Sequence, residues 1–200
     1  MTQSTMTKYD FTDVISYYND ELVKAGKVYN SGTNQGGKVR GINGKLYETI
    51  AMMICMLVNK NLVIKHNDYI KIESRSGLYS IKKQVDLHVY LRDELVLIIE
   101  CKTYLDNSML DRAISNFKLI RRHVKLTTDK VLPAVVFTGQ KCINDETFMF
   151  NKEEEPFDQF VVNSTPNRNS KLPLHKTLDP LNVNMLTQFA DYVYNIVGNS

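Results

Sequence analysis

Three residues near the middle of the chain are of types that could bind a cation and assist hydrolysis. Asp86 lies in an apolar segment, and Glu100 and Lys102 end another one whose run 95–99 reads Leu-Val-Leu-Ile-Ile. Carboxylates interrupt apolar strands rarely, because a buried charge needs a partner. The three side chains could also be surface charges at strand ends that pair with one another, an arrangement that contributes little to stability.

A hairpin would bring these residues together. Residues 92–94 suit a three-residue turn, and the register that follows places His88 opposite Ile98 and Asp86 opposite Glu100. Opposed residues share a face, with Cβ atoms about 4.5–5.5 Å apart. The lysine two residues beyond Glu100 projects to the same side. Two like charges in this position destabilise a sheet unless a cation binds between them.

Magnesium is the cation that best suits this set. It takes hard oxygen ligands, commonly one or two carboxylates, and leaves other positions for water and phosphate oxygens. A bound ion of this kind polarises a phosphate and lowers the pKa of a bound water. A neighbouring lysine can hold that water or stabilise the charge of the transition state. The set therefore predicts magnesium-dependent hydrolysis of a phosphodiester.

The spacing resembles a known signature. Asp86, thirteen further residues and then Glu100-Cys101-Lys102 resemble the PD-(D/E)XK motif of type II restriction endonucleases and related nucleases. The resemblance implies that Asp86 and Glu100 bind Mg²⁺ and that Lys102 assists the attacking water. The proline of the motif is replaced by Val85, at a position that varies within the family.

The resemblance covers a catalytic core of about residues 45–138 and implies a further acid on a preceding helix. Glu48 is the candidate, as the lone acid of an otherwise apolar helix, and would be a third metal ligand and catalytic residue. It could equally be a helix-surface residue that pairs with Lys45.

Hydrophobic periodicity predicts an α/β fold with a restriction-endonuclease-like core, in which a mixed central sheet of about five strands is flanked by helices. The whole chain, 1–200, is interpreted as a single nuclease domain, with residues 139–180 mostly irregular. The predicted helices are 10–25, 45–59, 108–124 and 181–197, and the predicted strands are 62–64, 69–72, 79–91, 95–102 and 132–138.

Two segments are candidates for contact with DNA. Six of the nine glycines fall within residues 26–44, which predicts a long irregular loop, and residues 22–47 contain no acid. The second segment, 161–178, is also basic. Such segments could contact bases or phosphates, or could be disordered. The candidate DNA-binding residues are Asn34, Gln35, Lys38, Arg40, Arg168 and Lys171.

Composition favours an intracellular protein, and we expect a cytoplasmic one. Apolar residues make up 43% of the chain, the net charge is +3, and the three cysteines are widely spaced. The N-terminus does not resemble a signal peptide, and the longest apolar run, 50–58, is too short to cross a membrane. No motif for a nucleotide cofactor is found.

The sequence thus predicts a type II restriction endonuclease that cuts double-stranded DNA at a short, palindromic site with Mg²⁺. Two antiparallel strands call for two active sites related by a twofold axis, so we expect a homodimer. Two alternatives stay open. One is a structure-specific nuclease of the same fold, such as a Holliday-junction resolvase or a repair nuclease, and the other is a non-catalytic DNA-binding module.

Overall fold

The computed structural model describes residues 8–32, 36–74, 76–124, 131–165 and 179–198. The helices are α1 (Thr12–Asn30), α2 (Gly36–Val58), α3 (Asn107–His123), α4 (Asp145–Glu154) and α5 (Val183–Val197). The strands are β1 (Val63–His66), β2 (Tyr69–Glu73), β3 (Ser80–Gln84), β4 (Leu87–Leu91), β5 (Glu94–Leu105), β6 (Ala134–Lys141) and β7 (Asp158–Val161).

Five strands form the mixed central sheet that the sequence predicts, in the order β1-β4-β5-β6-β7. The strands β1, β4 and β5 are antiparallel neighbours, whereas β6 and β7 run parallel to β5. The parallel step from β5 to β6 is made through α3, as a parallel connection requires a crossover. The strands β2 and β3 form a separate two-stranded ribbon.

The central strand β5 is covered on both faces, which is why its sequence is a continuous apolar run. Ile99 and Cys101 belong to the core cluster shared with α1, α2 and α5. Ile98 belongs to the second cluster, which includes Phe117 of α3 and Ile72 of the ribbon. Helices therefore lie on both sides of the sheet, in three layers.

The helix α2 contains the stretch Gly41–Val58, which is long and apolar enough to cross a membrane by length and composition. Its residues Leu46, Tyr47, Ile50 and Ile54 are fully buried within the protein core. This pattern is that of a core helix, because its apolar side is covered by the protein's own residues.

The predicted irregular loop at 26–44 is wrong. The helix α1 continues to Asn30, and α2 already begins at Gly36. A glycine costs about 1 kcal/mol inside a helix, but the buried Val39 and the fully buried Leu46 hold α2 in the core. Packing of this apolar side outweighs the weak local propensity.

Residues 139–180 are also more regular than predicted, since they include the end of β6, α4 and β7. The helix α4 has no buried residue, so its sequence lacks the apolar periodicity that reveals a core helix. Its N-terminus is capped by Asn144, whose side chain accepts a hydrogen bond from the Thr147 N–H. Residues 166–178 lie outside the described part of the chain.

Candidate active site

A tight hairpin between β4 and β5 sets the register of the site. The turn has two residues, Arg92 and Asp93, with φ of 51° and 65°, the left-handed conformation of a type I′ turn. The predicted three-residue turn is therefore wrong. A β-bulge near Tyr90 then shifts the register by one residue, and the predicted pairing of His88 with Ile98 is confirmed. The extra residue of the bulge compensates for a turn that is one residue shorter than predicted.

This register brings the two acids and the lysine together at the end of the hairpin. Asp86 directly precedes β4, and the Lys102 Nζ lies 3.2 Å from its Oδ2 and 2.6 Å from the Glu100 Oε1. The same Nζ donates to the Cys101 carbonyl at 3.0 Å. Three oxygen atoms, two of them anionic, thus converge on one cationic nitrogen.

The backbone holds Asp86 in place from two sides. The Cys101 N–H donates to the Asp86 Oδ2 at 2.7 Å, and the Asn67 N–H donates to the Asp86 carbonyl at 2.9 Å. Both donors are backbone N–H groups, so neither bond requires the ordering of a donor side chain. The carboxylate is therefore oriented before any ligand binds.

The electrostatics of the cluster follow from its burial. Glu100 is only 8% exposed, and burial together with the charge of Asp86 raises its pKa. Burial disfavours the charge of Lys102, but the adjacent Glu100 and Asp86 outweigh it and raise the lysine pKa. The lysine therefore stays protonated near neutral pH, and it offsets the repulsion between the two acids.

The donor atoms fit a magnesium ion. Two carboxylates and a carbonyl are hard oxygen ligands, and a site with so few protein ligands leaves room for water and phosphate oxygens. The ammonium of Lys102 marks the point on which these oxygens converge. No group of three His, Cys, Asp or Glu side chains close enough to hold a metal occurs among the described residues.

Glu48 lies near this cluster but contacts a different partner. Its carboxylate on α2 contacts the His66 Nε2 at the end of β1. The Asn67 side chain continues this network, because it contacts the His66 Nε2 at 2.8 Å and accepts from the Gln84 Nε2 at 2.8 Å. The structure thus does not bring Glu48 into one set of ligands with the other two acids, and its role as a metal ligand stays a prediction.

Two further polar residues of this region, His88 and Thr103, are part of the packed structure. His88 is fully buried, and burial lowers its pKa, so the imidazole is neutral. Thr103 donates through its Oγ1 to the Asn43 carbonyl at 2.9 Å and so ties β5 to α2. Both observations favour packing roles for these side chains.

The candidate DNA-binding residues are only partly described. Lys38 is exposed in the first turn of α2, and the backbone of Arg40 is helical. Asn34, Gln35, Arg168 and Lys171 lie outside the described residues. Contact of these six residues with DNA stays a prediction.

One candidate ligand is a backbone atom, which reasoning from side chains does not find. The Cys101 carbonyl belongs to the site through its backbone oxygen, so the identity of residue 101 gives no signal for it. The alternation of β5 could have indicated it, because a carbonyl between two inward-facing residues lies beside both of them.

The chain was compared with known families, proteins and structures. No protein-family model matches the chain. A segment of 50 residues is 44% identical to the type II restriction enzyme DdeI of Desulfomicrobium norvegicum. It makes up 25% of this chain and 21% of that enzyme, so the match spans about a fifth of the relative's length.

The structure is similar to that of NucC from P. aeruginosa ATCC27853 in its cAAA-bound form. The TM-score is 0.52 at 12% sequence identity, over 95% of this chain and 100% of that chain. The fold is restriction-endonuclease-like. The structural similarity shows the fold, and the sequence similarity is confined to the segment of 50 residues. Neither similarity selects a particular member of a family.

Proposed function

We propose that this protein is a type II restriction endonuclease that hydrolyses phosphodiester bonds of double-stranded DNA at a short specific sequence, with Mg²⁺. The observation that carries the proposal is the convergence of Asp86, Glu100 and the Cys101 carbonyl on the Lys102 ammonium. Such a set has no evident structural purpose, because burying two acids and a lysine is unfavourable compared with apolar packing.

Asp86, Glu100 and the Cys101 carbonyl would hold the ion, with Glu48 as a further ligand through its carboxylate. When bound, the ion polarises the scissile phosphate and lowers the pKa of a water. The raised pKa of Lys102 suits a hydrogen-bond donor and not a general base. Its ammonium would orient the attacking water and stabilise the negative charge that develops on the phosphate oxygens.

The sequence specificity and the dimer are the finer parts of the proposal. The segment shared with a type II restriction enzyme supports a site-specific enzyme. Two strands of a palindrome are related by a twofold axis, and a homodimer presents two active sites with the same symmetry.

The test is a digest of plasmid DNA of known sequence by the purified protein, with Mg²⁺ and with EDTA. We expect discrete fragments with Mg²⁺ only, and ends that map to one short sequence. In Asp86→Asn and Lys102→Met we expect about a 10²- to 10³-fold loss of cleavage, since each removes a group that acts in the transition state. Lys152→Met is the matched control, because Lys152 forms an exposed ion pair with Asp158.

The same assay separates the alternatives. A smear with Mg²⁺ indicates a nuclease without sequence specificity, and cleavage confined to a four-way junction substrate indicates a resolvase. DNA binding without cleavage in Mg²⁺ or Mn²⁺ refutes the enzyme and leaves a binding module. Light scattering after size-exclusion chromatography gives the mass that decides between monomer and dimer.

A further inference from the structure

The ribbon formed by β2 and β3 lies outside the central sheet and has two different faces. On one face Ile72, which is 4% exposed, packs into the core cluster that contains Phe117 of α3. Paired residues share a face of an antiparallel ribbon, so Lys71 and Lys82 project together to the other side. On that outer face Tyr69, Lys71 and Glu73 of β2 and Ser80 and Lys82 of β3 are exposed, and Gln84 is partly buried.

The outer face carries an unfavourable charge arrangement. Lys71 and Lys82 are directly paired across the ribbon, and like charges in this position are destabilising. The Lys71 Nζ contacts the Glu73 Oε1 at 2.7 Å, and the Lys82 Nζ lies 5.8 Å from the centre of the Tyr69 ring. Glu73 offsets only one of the two positive charges, so a polyanion would relieve the repulsion.

The ribbon is joined to the active site at its base. Its last residue, Gln84, is two residues before Asp86, and its side chain donates to the Asn67 Oδ1 at 2.8 Å. Asn67 in turn donates its backbone N–H to the Asp86 carbonyl. Asn67 therefore links the base of the ribbon to Asp86 through two hydrogen bonds.

Lys82 lies within a few nucleotide steps of Asp86. It precedes Asp86 by four residues, which span at most about 13 Å at about 3.3 Å per residue, because the chain leaves β3 before it enters β4. Successive phosphates of one strand are about 3.4 Å apart along the helix axis, so this reach is at most about four nucleotide steps. The major groove admits a two-stranded ribbon.

We infer that the outer face of the β2–β3 ribbon is a DNA-binding surface, on which Lys71 and Lys82 contact phosphates within about four nucleotides of the scissile bond. The inference rests on the proposed function, since it takes DNA as the substrate. It adds where the chain binds that substrate. It commits to DNA as the occupant. A second copy of the chain on this face is an outcome that the test distinguishes.

The experiment measures the binding of the full chain to a fluorescein-labelled 30-base-pair duplex of mixed sequence, in EDTA, over a series of salt concentrations. The test variant is Lys71→Gln/Lys82→Gln, and Lys71→Arg/Lys82→Arg preserves the charge. The control is Lys24→Gln/Lys60→Gln, which removes the same charge from α1 and from the turn after α2. Lys24 matches Lys71 closely, with 61% and 63% of the side chain exposed and a glutamate partner for each.

We expect the glutamine variant to bind at least about tenfold more weakly at about 0.1 M salt, and its plot of log K against log salt to be shallower by about 1.8, or about 0.9 per lost phosphate contact. The arginine variant and the control should bind as the wild type does. The glutamine variant should melt no lower than the wild type, because the change removes a repulsion.

Equal binding and equal salt slopes for the glutamine variant and the wild type overturn the inference, as does a wild type that does not bind the duplex. A glutamine variant that binds normally but changes its mass in light scattering overturns it in favour of a second copy. Because EDTA removes the divalent metal, a failure of cleavage does not affect this readout. If the wild type cuts DNA and the variant binds normally, only the inference about the ribbon fails.

Discussion

Replacing Lys102 by methionine should tighten magnesium binding while it strongly lowers the rate of cleavage. The ammonium occupies the oxygens that the metal needs, at 2.6 Å from Glu100, 3.0 Å from the Cys101 carbonyl and 3.2 Å from Asp86. A metal ion must displace at least one of these contacts before it binds. Methionine has a similar length and no charge, so the oxygens become available without a competitor.

The magnitude follows from those contacts. A hydrogen bond to a charged group contributes about 1.5–3 kcal/mol, and each 1.4 kcal/mol is a tenfold change in Kd. Loss of a single ammonium contact with Glu100 thus predicts about a 10- to 100-fold tighter Mg²⁺ site. The side chain of Lys102 is 24% exposed, so solvent screening places the expected value at the lower end.

Isothermal titration with Mg²⁺ measures the affinity, and melting curves with and without the ion provide an independent check. A concentration tenfold above Kd stabilises by about 1.4 kcal/mol, which is about 3–6 °C for a chain of this size. Lys152→Met, which removes an exposed ion pair with Asp158, should leave the affinity unchanged. Weaker or unchanged binding in Lys102→Met would refute the reasoning, because these oxygens would then not be the metal site.

Three further outcomes are expected. Glu48→Gln should weaken Mg²⁺ binding by about 10- to 100-fold, because its carboxylate supports the site. An unchanged Mg²⁺ affinity in the titration would show that Glu48 only contacts His66. The raised pKa of Glu100 favours its protonated form in the folded state. Without metal, the contribution of Glu100 to the free energy of unfolding is therefore greatest below about pH 4.3 and is lost as the pH rises through the folded pKa. In EDTA, the melting temperature of the wild type should fall relative to that of Glu100→Gln over the same pH range. Gly139→Ala should destabilise by at least about 1–3 kcal/mol in urea unfolding, because a Cβ there would overlap the Tyr47 ring and lie 2.7 Å from the Thr103 carbonyl; an unchanged midpoint would show that α2 can shift.

Local sequence was a sound guide where short-range patterns decide the structure. The apolar run 95–99 predicted a strand covered on both faces, and β5 is that strand. Asp86 and Glu100 are joined by one tight hairpin, so their approach depends on few residues and on the alternation of two strands. Even the error in turn length was compensated, because a β-bulge restored the register before His88.

Local patterns were a poor guide where contacts between distant segments decide. The glycines between residues 26 and 44 favour a loop, yet the packing of Val39 and Leu46 extends α2 through that region. The predicted single strand at 79–91 divides at Val85 and Asp86, because β3 belongs to the ribbon and β4 to the central sheet.

The sequence by itself determined which side chains could do chemistry and which two strands present them, because charge placement and residue alternation are local properties. Only the tertiary structure decided that Glu48 pairs with His66 and that the Cys101 carbonyl completes the oxygen set. It also placed Lys71 beside Lys82 on an exposed face. These contacts depend on how separate segments pack, and the free energy of that packing is shared among residues far apart in the chain.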